Sequence, residues 1–324
     1  MSGCDGSGRD VSESRRGVSE LRSYSYLGPA GTFTEAALGQ VPAAQGQEWL
    51  PVANVTRALL NVSEHISDAA MIAIENSIDG GVSAAQDALA QISGLQILGE
   101  YLVPVRFALV TRPGAELSRV QTVAAHPVAY AQCRAWLESN LPGHRLIPAT
   151  SNAQAAADLL ASSAQIDAAI APPNITSRFE VRVHNNNVGS NPDAQTRFCL
   201  VGRKQPVGAI TGRDKTSLIV TLPEDRSGSL LTLLEQFAAR GVNLTQIASR
   251  PTGEQMGNYR FFIDTEGHIR EERVRHALIG LKMHSPEVVF LGSYPRADNM
   301  RVKSDPKYSD SAFCEASAWV EGLL

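Results

Sequence analysis

Apolar positions follow two patterns along the chain. Between Tyr24 and Gly202, short apolar runs end in small or polar residues, and amphipathic segments often follow them. Residues 24–27, 69–74, 120–125, 145–148 and 166–171 read as strands. Asn54 is a good N-cap, and Val55, Leu59, Val62 and Ile66 share one helical face. Alternating strands and helices predict an α/β region with parallel sheet. Ligands of such sheets bind outside the carboxyl ends of strands.

Residues 215–294 differ. Strands are expected at 217–222, 242–249, 259–264 and 288–294. Leu230, Leu233, Leu234 and Phe237 form one helical face, with Gly241 as a C′ residue, and Val274, Ala277, Leu278 and Leu281 form another. The order βαββαβ is the split, ferredoxin-like arrangement. Residues 203–215 carry Pro206, Gly208 and Gly212 and have a linker's composition. Residues 1–22 are small and polar, as in a flexible tail, and 296–324 are polar except for one short helix expected at 312–324.

Composition narrows the function classes. The chain has 324 residues, 43% hydrophobic and 19% charged, which suits a folded protein of two or three domains. A formal net charge of −4 and 6% aromatics argue against a nucleic-acid partner. Cys4, Cys133, Cys199 and Cys314 form no CxxC pair or disulfide framework, and the seven histidines form no HxxxH or HxH group. No metal site is expected. The first 22 residues lack a signal-peptide core, and no apolar run of about 20 residues is present to span a bilayer. A cytoplasmic protein without a membrane partner is the expectation.

Four loops are candidates for chemistry, and each has a plainer alternative. Residues 27–34, Leu-Gly-Pro-Ala-Gly-Thr-Phe-Thr, join a strand to a helix. Gly31 and Thr32 either bring backbone N–H groups to an anion or form an ordinary tight turn. Glu75, Asn76 and Ser77 arrive together at a strand's carboxyl end, before Gly80-Gly81, as ligand groups or as a solvated capping loop. Thr150 and Ser151 precede an Ala-rich helix and either cap it, bind a carboxylate, or do both. Thr196, Arg197 and Phe198 open a strand, where Arg197 either clamps a carboxylate or sits on an exposed edge. His126, before Pro127, is a base or a turn residue, and His184 reads as part of a polar loop.

In this order the segments resemble the prephenate dehydratase family, from about Tyr24 to Asp298. The landmarks are Gly28-Pro29-Ala30-Gly31-Thr32-Phe33, Ile74-Glu75-Asn76-Ser77, His126-Pro127, Thr150-Ser151 and Thr196-Arg197-Phe198. The resemblance implies a two-lobed catalytic domain like a periplasmic solute-binding protein over 23–204, a linker over 205–214, and an ACT regulatory domain over 215–296. Residues 1–22 and 297–324 would be tails. It implies conversion of prephenate to phenylpyruvate in phenylalanine biosynthesis, with no cofactor, and a monofunctional enzyme without a chorismate mutase helix.

Thr196 and Arg197 would be catalytic, with Gly31, Thr32, Glu75, Asn76, Ser77, Thr150, Ser151 and Phe198 at the substrate. Arg197 or helix N-terminal N–H groups would hold the carboxylates. Thr196 would donate a hydrogen bond to the departing hydroxyl. Phenylalanine would bind between ACT domains of two subunits of a homodimer or homotetramer, near Gly228, Ser229, Leu230, Asn243, Leu244, Ser249, Arg250 and Pro251. The alternative is that Leu230, Leu231 and Arg250 are only packing and surface residues. Two positions depart from the family pattern: Ala194, where Asn is frequent, and Ala248, where the ACT motif has Glu. Arogenate dehydratase and a non-catalytic small-molecule sensor are the competing readings.

Overall fold

The computed structural model describes residues 22–78, 80–161, 165–222, 226–253 and 258–324. The expected tail at 1–22 lies, but for Arg22, outside the described residues. Contacts divide the chain into two compact units. One takes in Arg22–Ser93 and Tyr101–Arg203. The other, among described residues, takes in Gly94–Glu100 and Lys204–Leu324.

The first unit has two lobes. Lobe one holds β1 (Ser23–Leu27), α1 (Phe33–Leu38), β2 (Glu48–Val52), α2 (Val55–Ser63), β3 (Ala69–Asn76), β4 (Gly80–Gly81), α3 (Ser83–Gln91) and the end of β5 (Leu95–Pro104). Asn54 caps α2 by accepting the Arg57 N–H at 2.8 Å. The helix stops at Ser63, short of Ile66, which is 48% exposed. His65 turns left-handed at φ 61°, and the Asn61 carbonyl accepts from the Ile66 N–H, a Schellman-like end.

Lobe two holds β6 (Ala108–Thr111), β7 (Thr122–Ala125), α4 (Pro127–Asn140), β8 (Arg145–Pro148), α5 (Asn152–Leu160), β9 (Ala168–Ala171) and β10 (Arg182–Asn185). The chain then returns to lobe one as β11 (Gln195–Arg203). Sheet orders are β2-β1-β3-β11-β5, with β4 on β3, and β10-β6-β9-β7-β8. Both sheets are mixed rather than parallel. β11 runs antiparallel to β3, and β6 antiparallel to β9 and β10. The returning β11 arrives from the other lobe, so it enters its sheet in the opposite sense. The two crossings bond to each other: Val105 N–H to the Ala194 carbonyl, and Val188 N–H to the Phe107 carbonyl, both at 2.7 Å.

The second unit is built on β12 (Asp214–Thr221), α6 (Ser229–Ala238), β13 (Leu244–Pro251), β14 (Tyr259–Glu266), α7 (Glu272–His284) and β15 (Glu287–Pro295). Its antiparallel sheet has the order β13-β14-β12-β15, as the βαββαβ pattern requires. Leu218, Val220, Ile263, Leu233, Phe237, Val274, Ala277 and Leu281 form its core. Three of the expected apolar face residues point elsewhere or only partly inward: Leu230 is 39% exposed, and Leu234 and Leu278 are partly buried. Gly94–Glu100 groups here, and Glu100 forms an ion pair with Lys215 at 2.9 Å.

The expected C-terminal helix is α8 (Asp310–Glu321). It sits on α7: the Asp310 carboxylate accepts the Glu272 N–H at 2.9 Å, and Phe313 stacks on His276 with centroids 5.0 Å apart. Just before it, the Tyr308 ring fills the space where a Cβ on Gly241 would project. Gly241, at φ 62°, is thus held to glycine by backbone and by packing. Among the described residues, no helix is long and apolar enough to cross a membrane.

Candidate active site

Three helices begin at one cavity in the first unit. The cavity has a volume of about 870 Å³ and takes its walls from both lobes. Lobe one supplies Gly28, Pro29, Ala30, Thr32 and Phe33 before and at the start of α1, Asn76 at the end of β3, and Thr196 and Phe198 on β11. Lobe two supplies His126 before α4 and Thr150, Ser151, Asn152 and Ala153 at the start of α5.

Each helix start is capped by a side chain from its own loop. Thr32 accepts the Glu35 N–H, Ser151 the Gln154 N–H, and His126 Nδ1 the Val128 N–H. Thr150 and Ser151 thus divide their work: Ser151 caps, and both line the cavity. The His126 N–H in turn donates to Asn152 Oδ1 at 3.0 Å, which ties the start of α4 to that of α5. Because His126 Nδ1 accepts, the proton of its neutral ring belongs on Nε2.

The β3–β11 ladder places the other polar groups. Thr196 lies opposite Asn76, whose Nδ2 donates to Thr196 Oγ1 at 3.0 Å. A hydroxyl that accepts one bond keeps its own proton to donate. Thr196 is 7% exposed and lines the cavity. Phe198, two residues on, shares its face.

Arg197, between them, faces away. It is 6% exposed and pairs with Glu75, Nε to Oε2 at 3.0 Å. Neither reaches the cavity, so capture of a substrate carboxylate by Arg197, or contact by Glu75, is not what this arrangement provides. An exposed edge position is equally wrong, because β11 lies inside its sheet. Ser77 also stays off the wall: its N–H and Oγ bond the Gln195 backbone and extend the ladder.

Gly31 sits behind the wall. At φ 93° it presses toward lobe two, where a Cβ would come 3.2 Å from Ile175 Cδ1. Its N–H donates to Glu35 Oε2 at 2.6 Å. Tyr26 also bonds Glu35, at 3.4 Å. Burial first, and then the Glu35 charge, push the Tyr26 phenol up to about 12.

Among the described residues lining the cavity, none is Asp, Glu, Lys or Arg, and one is a histidine, His126. No group of three His, Cys, Asp or Glu that could hold a metal occurs among the described residues. The cavity offers hydroxyls, amides, one imidazole and helix N-termini. That set suits an anion bound by dipoles rather than by cations.

Family models match in two places, prephenate dehydratase over residues 24–206 and the ACT domain over 216–281. The prephenate dehydratase of Amycolatopsis methanolica is 41% identical over 305 residues, spanning 94% of this chain and 98% of that protein. The chain belongs to the prephenate dehydratase family. A crystal structure of prephenate dehydratase from Arthrobacter aurescens in complex with L-Phe is 48% identical, with a TM-score of 0.89 over 93% of this chain and 99% of that one. A structure described as GqqA, a novel type of quorum quenching acylases, is 26% identical, with a TM-score of 0.74 over 85% of this chain and 98% of that one. The fold therefore also hosts other chemistry, and the reaction must be argued from the site.

The ACT match agrees with the second unit's topology. The effector candidates fall on two of its segments. Gly228, Ser229 and Leu230 lie at the start of α6, where Gly228 has φ 89°, and Leu244, Ser249, Arg250 and Pro251 lie on the edge strand β13, just after Asn243. His184 lies on β10, not in a loop, with Nε2 2.9 Å from Thr111 Oγ1. Asn152, Val105 and Phe107 at the cavity were not legible as site residues. Asn152 reads as an ordinary first-turn residue, and the other two as core.

Proposed function

We propose that the cavity binds prephenate and converts it to phenylpyruvate, carbon dioxide and water. The bond from the ring to its carboxylate breaks, and its electron pair enters the ring. The bond to the ring hydroxyl breaks in turn, and the departing hydroxide takes up a proton to become water. The observation that carries this reading is the Thr196 hydroxyl, oriented by Asn76 at the wall of a cavity with no charged lining side chain among the described residues.

Thr196 donates a hydrogen bond to the oxygen as negative charge grows on it. The N-terminal N–H groups of α1, α4 and α5 receive the two carboxylates, helped by Thr150 and Ser151. His126 Nε2–H is the second donor available, and Phe33, Phe107 and Phe198 give the ring apolar surface. Arogenate carries an ammonium in place of the keto group, and no carboxylate among the described lining residues is there to receive it. This favours prephenate.

The second unit senses phenylalanine in this reading, which the L-Phe complex of the Arthrobacter aurescens enzyme supports. Binding between two copies shifts the population of conformations. The protein works in the cytoplasm as a homodimer or homotetramer.

The test is a rate assay for phenylpyruvate, with and without L-phenylalanine, run beside arogenate. Turnover of prephenate well above the spontaneous rate, altered by phenylalanine, is expected. A folded sample that leaves prephenate at its spontaneous rate overturns the enzyme reading. Faster turnover of arogenate overturns the substrate assignment.

A further inference from the structure

Glu35 lies on α1 in lobe one, and Arg178 follows β9 in lobe two. They pair across the two lobes, Nη2 to Oε1 at 2.5 Å. Glu35 is well held on its own side: Oε2 accepts the Gly31 N–H at 2.6 Å, and Oε1 is within 3.4 Å of the Tyr26 hydroxyl. Arg178 is anchored on the other side through its N–H, which donates to the Ile175 carbonyl at 3.0 Å. Ile175 is fully buried in the core of lobe two.

The same carboxylate therefore grips the loop that forms one cavity wall and, through Arg178, the lobe that forms the other. Gly28, Pro29, Ala30 and Thr32 belong to the first wall, and Ala153 and Pro172 to the second. The chain passes between the lobes near Val105 and Val188, and these two crossings are bonded to each other. A two-strand joint of this kind lets lobes swing, and an ion pair made between the lobes favours the closed arrangement.

We propose that Glu35 and Arg178 are positioning residues, a latch that holds the cleft closed around the substrate without touching it. The proposal rests on the cavity being the substrate site. Without the latch, the closed state is a smaller fraction of the free enzyme, and apparent affinity falls by that fraction. Bound substrate still draws the lobes together, so the rate at saturation is kept.

Arg178→Met is the direct test. The Arg178 side chain is 43% exposed, so the fold should tolerate the change. KM for prephenate is expected to rise about two- to fivefold, the scale of a partly exposed ion pair, with kcat within about twofold. Arg178→Lys should recover part of the loss. Glu35→Gln with Arg178→Met should raise KM no further than Arg178→Met alone, because the two act through each other.

Amide hydrogen exchange reads the latch without turnover. Exchange across 28–36 should quicken in Arg178→Met, since Glu35, which accepts the Gly31 N–H, loses its tie to lobe two. Unchanged KM and unchanged exchange overturn the proposal. So does a fall in kcat and melting temperature at constant KM, which assigns the pair to stability alone. A wild-type protein that does not turn over prephenate refutes the substrate reading instead, and the exchange measurement still decides the latch.

Discussion

Replacing Thr196 by Val removes one oxygen and keeps the volume. The structure says what that oxygen does. It accepts from Asn76 at 3.0 Å, which orients the hydroxyl, and its own proton is left for an acceptor in the cavity. If that acceptor is the departing hydroxyl, the bond strengthens as the oxygen gains charge, and its loss falls on the transition state. Removing one such donor costs about 10²–10³ in kcat. KM should move little, because Thr196 is not among the groups assigned to the carboxylates. The lost Asn76 bond costs about 1 kcal/mol of stability, or roughly 2–4 °C in melting temperature for a unit of this size. Initial rates of phenylpyruvate formation against prephenate concentration, less the spontaneous rate, give both constants. Thr196→Ser keeps the hydroxyl and should keep most of kcat. A Thr196→Val enzyme within tenfold of the wild-type kcat refutes the assignment. So does a Ser variant as slow as the Val variant, which would trace the effect to the methyl group's packing.

Two further outcomes test the fold. Asp167 Oδ2 accepts the Gln121 N–H, the Thr122 N–H and the Thr122 hydroxyl at 2.8–3.0 Å. Burial raises its pKa, but these bonds, with the Arg112 charge, outweigh burial and hold the carboxyl below its usual value. The unfolded chain then takes up the proton first, so the contribution is complete above about pH 4 and is lost as pH falls through the folded value. Asp167→Ala should cost about 2–3 kcal/mol at neutral pH. Urea melts should show that cost shrinking toward pH 3, and an equal cost at both pH values contradicts the account. Burial pushes the Cys133 thiol up to about 12, and Cys199 is buried as well. Alkylation of the native protein at pH 8 should spare both, and mass spectrometry showing Cys133 modified as fast as a free thiol refutes this.

The second unit was legible in the sequence almost element by element. A single sheet with helices on one face leaves period-2 and period-3.6 patterns undisturbed, and Leu233, Phe237, Val274, Ala277 and Leu281 carry them. The first unit was harder. Strand order cannot be read where β11 returns from another lobe, and a buried run such as Cys199–Val201 looks alike in parallel and antiparallel pairing. Of the residues that line the cavity, Thr196, Asn76, Thr150 and Ser151 were marked by polar groups at strand ends. Arg197 misled because charge type is visible in a sequence while the side of the strand it faces is not. Its partner Glu75 is adjacent in register, and the two satisfy each other. Glu35 and Arg178, 143 residues apart, carry no local signal at all.

The neutral lining has a chemical consequence. Prephenate arrives with two negative charges, and one of them leaves as carbon dioxide. A cation fixed against that carboxylate would stabilise the ground state more than the transition state, in which its charge is moving into the ring, and would slow the step. Helix N-termini supply partial charges that bind the anion while holding the leaving carboxylate less tightly than an arginine pair would. The paired Arg197 belongs to the same logic: Glu75 neutralises it within one strand of the reacting centre and keeps it from the cavity. The hydroxyl end needs the reverse, a donor whose bond grows stronger as hydroxide departs. In the proposed mechanism Thr196, oriented by Asn76, provides that without carrying any charge. A site built from dipoles and one oriented hydroxyl can therefore favour both departures at once, whereas a single arginine in the same place would help one and hinder the other.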